Sequence, residues 1–335
     1  MKARTAAAAS SARAMAAPRA DAGQEQRDFA RDVGFYLQQT PRQLPSRFLY
    51  DALGSALFDA ICHLPWYGIT RAELGLLERH GRTIGEALGA GARVVELGCG
   101  NGDKLATLLR QAGVPGVHAH LVDLSQTALA RSVQALAALD GQDVRVTTHQ
   151  ATYEDGLLAL TDADAPPTLV VFLGSNIGNF DRPGAAAFLR LIRGSLRPGD
   201  GLLLGADLVK PERDLLLAYD DPLGLTAAFD KNLLQRLNTE LGADFALDQF
   251  DHRAVWDGTA SRVEMHLVSR VAQDVRIEQA GLRFRLEAGE TIWTESSYKF
   301  EAAGIGQLVE PTGFARQQQW IDQRAGFALT LFAAV

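Results

Sequence analysis

The chain has 335 residues, 47% hydrophobic and 22% charged, enough for a substantial core and, at roughly 150 residues per domain, for about two domains. Its 33 Lys and Arg against 40 Asp and Glu leave a net charge of −7, which argues against a nucleic-acid partner or an anionic membrane surface. Two Cys exclude a disulfide scaffold or a multi-Cys zinc site, and no apolar run approaches the roughly 18 residues of a membrane helix, so a cytoplasmic protein is expected.

Residues 1–27 are rich in Ala, Arg and Ser, lack Leu, Ile, Val and Phe, and carry no acid before Asp21. Such a stretch offers no apolar face and reads as a disordered tail, with organelle targeting as the alternative. Residues 28–88 show a helical pattern broken by a loop at 63–68. A short β-branched run at 93–97 then leads into Gly98-Cys99-Gly100-Asn101-Gly102, and Leu105, Leu108 and Leu109 follow at helical spacing. Residues 118–122 read as a strand ending at Asp123, 126–139 as a helix, and 144–148, 168–173 and 202–205 as further strands. This alternation indicates a parallel sheet with crossover helices.

Beyond Ala206 the alternation stops. Residues 214–241 are largely helical, 262–271, 275–284 and 291–297 look like antiparallel strands, and 327–332 suggests a closing strand or hairpin. The expected organisation is one α/β domain, residues 72–205 plus 298–335, with an α+β domain, residues 28–71 plus 206–297, inserted in it and preceding it.

The glycine loop between a predicted strand and a predicted helix lets the backbone turn sharply and approach a bulky cofactor. A dinucleotide fold would space its glycines Gly-x-Gly-x-x-Gly. Here the third glycine comes one residue early and Glu96 closes the strand, a pattern that resembles the first motif of Rossmann-like class I methyltransferases. Those enzymes bind S-adenosylmethionine, which carries no phosphate. Asp123, at the tip of the next strand, is placed to accept from ribose hydroxyls. At Cys99 a small residue suffices.

Further segments narrow the match: 48–58 with 64–67, Phe172-Leu173-Gly174-Ser175-Asn176-Ile177-Gly178-Asn179-Phe180, 218–221, 226–229, and Thr294-Glu295-Ser296-Ser297-Tyr298-Lys299-Phe300. Together they resemble the histidine-specific N-alpha-methyltransferases of ergothioneine biosynthesis, from about residue 30 to the C-terminus. The resemblance implies transfer of three methyl groups from S-adenosylmethionine to the α-amino group of L-histidine, giving hercynine, with no metal. It places Asn179 and Tyr219 on the substrate's amino and carboxylate groups, with Tyr50, Tyr67 and Gly174 completing that end, and Asn179 and Tyr50 closest to the chemistry. Glu295 and Ser297, two apart in an extended segment, would share a face and hold the imidazole nitrogens, with Met265 in the same pocket. Gly98, Cys99, Gly100, Lys104, Asp123, Thr152 and Tyr153 would hold the cofactor.

The chain departs from the family pattern at Trp66 (usually Glu), at Gly68-Ile69 (a common Tyr-Pro), at Thr152-Tyr153 (an Asp-Phe pair) and at Asp230 (an Asn). The expected partner is a small amino acid rather than nucleic acid or membrane, with a monomer as the working state. Competing readings are a different free amino acid such as an aromatic one, and a silent S-adenosylmethionine-binding protein. His118 and His120 share a strand face, but no ligand set with metal spacing accompanies them.

Overall fold

The computed structural model describes residues 22–139, 143–159 and 166–335. The chain starts with α1 (Ala22–Leu37), the two-residue strand β1 (Arg42–Gln43), a 3₁₀ turn at Ser46–Leu49, and helices α2 (Ala52–Cys62) and α3 (Ile69–Glu86). The alternating stretch comprises β2 (Arg93–Leu97), α4 (Asp103–Ala112), β3 (Val117–Asp123), α5 (Gln126–Ala137), β4 (Val144–Gln150), α6 (Tyr153–Leu158), β5 (Thr168–Phe172), α7 (Arg182–Gly194) and β6 (Gly201–Asp207). Helices α8 (Glu212–Tyr219) and α9 (Leu225–Leu241) lead to β7 (Phe250–Asp257), β8 (Arg262–Ser269), β9 (Gln273–Ile277), β10 (Leu282–Leu286) and β11 (Thr291–Tyr298). Helix α10 (Ala302–Val309) and the hairpin of β12 (Phe314–Asp322) and β13 (Phe327–Ala334) close the chain.

The larger sheet has the order β12-β13-β6-β5-β2-β3-β4, parallel from β6 to β4, with β13 antiparallel to β6 and to β12. Strands β2 and β5 are buried at every residue, with Val94, Val95, Leu97, Leu169, Val170, Val171 and Phe172 supplying the apolar surface. Alternate side chains feed two cores. Val94, Val171 and Leu203 pack with Leu76, Leu77 and Leu105 of α3 and α4, while Val95, Val170 and Leu202 pack with Phe188, Leu189 and Ile192 of α7. The winding reverses between β2 and β5, so the crevice beyond their carboxyl ends is the natural ligand site.

The second sheet has the order β1-β11-β8-β7, and its inner face carries Val263, Met265 and Leu267. Two of the chain's crossings between the sheets run side by side. Phe300 donates its N–H to Asp207 O (3.0 Å) and Val209 donates to Phe300 O (3.0 Å), with a parallel bridge between Leu208 and Phe300.

Several expectations are adjusted. Helix α1 begins at Ala22, so residues 22–27 are helical rather than tail; residues 1–21 lie outside the described residues. The expected boundary at 71/72 falls inside α3. The single strand expected over 275–284 is the hairpin β9–β10, turned at Gly281 where φ is +59°. Strand β7 was not anticipated because only alternate residues are covered and those are mixed: Phe250, His252 and Ala254.

His118, His120 and His149 cluster on β3 and β4, with His120 Nδ1 and His149 Nε2 3.0 Å apart and the rings of His118 and His120 4.1 Å apart. Burial, then the neighbouring His118, His149 and Arg93, push His120 down to about 3. Between that value and the ordinary ~6.5 the unfolded chain binds the extra proton, so this cluster costs stability as pH falls through the window. Urea unfolding at pH 7 and pH 5 should show a lower midpoint at pH 5, and His120→Gln should reduce the difference; an unchanged difference in the variant would refute this.

Candidate active site

The glycine loop leaves β2 with Gly98, Gly100 and Gly102 at φ +77°, +56° and +83°, a left-handed alternation that explains why every second residue is glycine. A Cβ on Gly98 would lie 2.8 Å from Tyr153 Oη and 2.9 Å from Asn176 Nδ2, and one on Gly102 would lie 2.5 Å from Ser132 Cα of α5. The loop therefore packs against the exit of β5 on one side and α5 on the other. Asp123 ends β3 with its carboxylate accepting from Ser125 N–H (2.8 Å) and Gly100 N–H (3.4 Å); burial nonetheless raises its pKa. Cys99 is buried with Sγ 3.8 Å from Asp123 Oδ2, and burial pushes its thiol up, so it is a space-filling residue rather than a nucleophile.

Lys104, in the first turn of α4, has a partner the sequence did not announce. Its Nζ is 2.7 Å from Glu73 Oε2, and Glu73, on α3, is fully buried. Both Glu73 oxygens also accept from Gly174 N–H (3.0 and 2.9 Å). Burial works to lower the Lys104 pKa, and the Glu73 carboxylate more than offsets it. One carboxylate thus ties the start of α4 to the loop after β5. Glu73 sits in the second turn of an amphipathic helix, where nothing in the sequence distinguishes it from a solvent-facing acid.

The predicted substrate residues Tyr50, Tyr67, Gly174, Asn179, Tyr219, Met265, Glu295 and Ser297 all line one cleft. Phe58, Ile61, Asn176, Thr226 and Phe229 line it too and were missed. Asn176 borders both the glycine loop and the cleft. Of the cofactor candidates, Tyr153 reaches the glycine loop, whereas the Thr152 hydroxyl caps α6. It donates to Asp155 Oδ2 (2.9 Å) and accepts from Asp155 N–H (3.2 Å).

Glu295 and Ser297 face inward because of a register shift. Trp293 pairs with His266 but Glu295 with Met265, leaving Thr294 as an extra residue in β11. Across the sheet Met265, Glu295 and Ser297 then share the face of Ile292, which strict alternation would deny to Glu295. Burial, then Asp230, pushes Glu295 up to about 7, with Lys299 and His252 pulling the other way. Asp230, the departure on α9, is fully buried and pairs with His252 at 2.7 Å, and His252 Nε2 lies 2.8 Å from Tyr219 O. This pair raises the His252 pKa against the effect of burial.

Tyr219 Oη and Ser297 Oγ are 2.8 Å apart, and both accept from the buried Lys299 ammonium, at 2.7 and 2.8 Å. Burial pushes the hydroxyls of Tyr50 and Tyr67 well above their usual range, and that of Tyr219 up as well. The cleft is therefore neutral phenols and amides at one end and an acid at the other. No His/Cys/Asp/Glu group able to hold a metal ion occurs among the described residues, and no described helix is long and apolar enough to cross a membrane.

The family model of the histidine-specific, S-adenosylmethionine-dependent methyltransferases matches residues 29–334. A histidine N-alpha-methyltransferase of Mycobacterium tuberculosis is 38% identical over 90% of this chain and 94% of its own length. That of Mycolicibacterium smegmatis is 38% identical over 90% and 93%. An L-tryptophan methyltransferase of Psilocybe serbica is 26% identical over 86% of this chain and 87% of its own. The chain belongs to the histidine-specific, S-adenosylmethionine-dependent methyltransferase family.

Proposed function

We propose that the protein methylates the α-amino group of L-histidine three times, giving hercynine, the first step of ergothioneine biosynthesis. The observation that carries this reading is one continuous wall. The glycine loop abuts Asn176, and Asn176 lines the same cleft as Asn179, Tyr219, Glu295 and Ser297.

The residues present suit S-adenosylmethionine. Glu96 is 2% exposed with Oε2 lacking a protein partner, and the glycine backbone and the Asp123 carboxylate border the same crevice. Asp123 would accept from ribose hydroxyls, Lys104 would face the carboxylate, Gly98, Cys99 and Gly100 would line the body of the molecule, and Tyr153 with Thr152 would flank the adenine. Bound S-adenosylmethionine supplies a methyl on a positively charged sulfur, which departs without acid assistance.

The protein's work is then to hold a neutral amine at the right place and angle. Asn179, at the carboxyl edge of β5, offers an amide oxygen to the amine, and Tyr50, Tyr67 and Gly174 close that end without adding charge. Glu295, which burial and then Asp230 push up to about 7, would meet one imidazole nitrogen and Ser297 the other. Met265, its cross-strand neighbour, packs the ring. The larger sheet would carry the cofactor (residues 72–205 and 298–335) and the remainder (28–71 and 206–297) the amino acid.

Mass spectrometry of the protein with S-adenosylmethionine and all twenty amino acids tests this: the gain of three methyl groups should appear on histidine. Methylation of another amino acid alone would overturn the histidine assignment. Glu295→Ala should lower kcat/KM for histidine on the order of 10²-fold while phenylalanine loses far less, because the site would no longer pair a ring N–H that phenylalanine lacks. An equal loss for both would remove Glu295 from the specificity argument.

A further inference from the structure

The lining of the cleft contains no Arg or Lys, so an amino-acid carboxylate would meet no cationic side chain there. The cation lies one layer behind. Lys299 is 3% exposed, stands two residues beyond Ser297, and spends all three protons: on Tyr219 Oη (2.7 Å), Ser297 Oγ (2.8 Å) and Asp207 Oδ2 (3.0 Å). Asp207 also binds Lys210 at 2.6 Å, and Lys210 is anchored on Ala325 O. Two ammonium groups against one carboxylate leave a net charge of +1 at the crossing between the sheets. Tyr219 and Ser297 each accept one proton from Lys299, and one O–H bridges them. Between two hydroxyls, a single proton then remains to be given to the cleft. An anionic oxygen is the acceptor that best uses a proton polarised by a charge behind it.

We propose that Lys299 is the specificity-determining charge for the substrate's α-carboxylate, acting as a positioning residue through Tyr219. It makes the site select amino acids over the corresponding amines, and it rests on the reading that the substrate is a free amino acid. The charge is buried where water cannot screen it, and the Tyr219 hydroxyl is the conductor. Lysine serves here because three divergent protons serve three separate acceptors, which a planar guanidinium would not match.

The test compares kcat/KM for L-histidine with that for histamine, which keeps the imidazole and the amine and lacks the carboxylate. The full-length protein should prefer histidine strongly. Lys299→Met should reduce the histidine-to-histamine ratio by about tenfold or more, chiefly through KM for histidine, with histamine losing less because it has no carboxylate to place. A merely structural role would depress both substrates together and leave the ratio unchanged, and that result would overturn the proposal. If Lys299→Met does not fold, Tyr219→Phe, which keeps Lys299 on Asp207 and Ser297, should lower the same ratio; an unchanged ratio there would overturn it equally. Should another amino acid prove to be the substrate, the histidine reading fails, and the same ratio taken with that amino acid and its decarboxylated amine still decides the role of Lys299.

Discussion

Asn179→Ala is expected to lower kcat/KM for methyl transfer on the order of 10²-fold with little loss of stability. The reaction asks the enzyme for placement, and a misplacement of about 1 Å costs a factor of that size. Asn179 ends the 3₁₀ turn that follows β5 and lines the cleft, while its side-chain amide has no hydrogen bond to the rest of the described protein. Its polar atoms are thus free for substrate, and their removal leaves no buried partner stranded. Single-turnover rates with saturating S-adenosylmethionine, beside a urea unfolding curve, separate the two effects. A variant with normal turnover would put the amine elsewhere in the cleft; one with a much lower urea midpoint would make Asn179 structural.

Glu73→Ala has the opposite signature, a loss of about 3 kcal/mol of stability that accompanies the loss of activity. Removing one partner of a buried ion pair typically costs about 3–5 kcal/mol, and the low end applies because Lys104 is 24% exposed and can partly rehydrate. Gly174 N–H loses its acceptor at the same time. Glu73→Gln keeps an acceptor for Gly174 and should cost less. Gly205→Ala reaches the same network from below, since a Cβ on Gly205 would collide with Glu73 Oε1. Denaturant midpoints with unchanged m-values would report the effect. If Glu73→Ala kept the parent midpoint, the carboxylate would not be the clasp between α4 and the β5 loop.

The sequence by itself determined the cofactor half. Runs such as Arg93-Val-Val-Glu-Leu and Thr168-Leu-Val-Val-Phe are buried on both faces, and the glycine loop records its backbone conformation directly as residue type. Local chemistry with no distant partner is legible in one dimension. The Asp123 carboxylate belongs only half to this class: Ser125 is two residues on, whereas Gly100 lies 23 positions back and is brought by the fold. The start of α1 at Ala22, the hairpin at 273–286 and β7 were misdrawn or missed, the two strand segments because mixed and half-exposed strands carry a weak alternation signal.

Only the tertiary structure decided how the charged groups pair. Glu73 meets Lys104 and Gly174 across 31 and 101 positions, Asp230 meets His252 across 22, and Lys299 meets Tyr219 across 80. Each is an unremarkable charge in its own segment, and its meaning comes from exclusion of water and from a partner brought by another element. The direction of Glu295 followed the same rule. The residue spacing alone set Glu295 beside Ser297, but the extra residue at Thr294 turned both toward Met265 and the cleft, and only strand pairing reveals a shift of one residue.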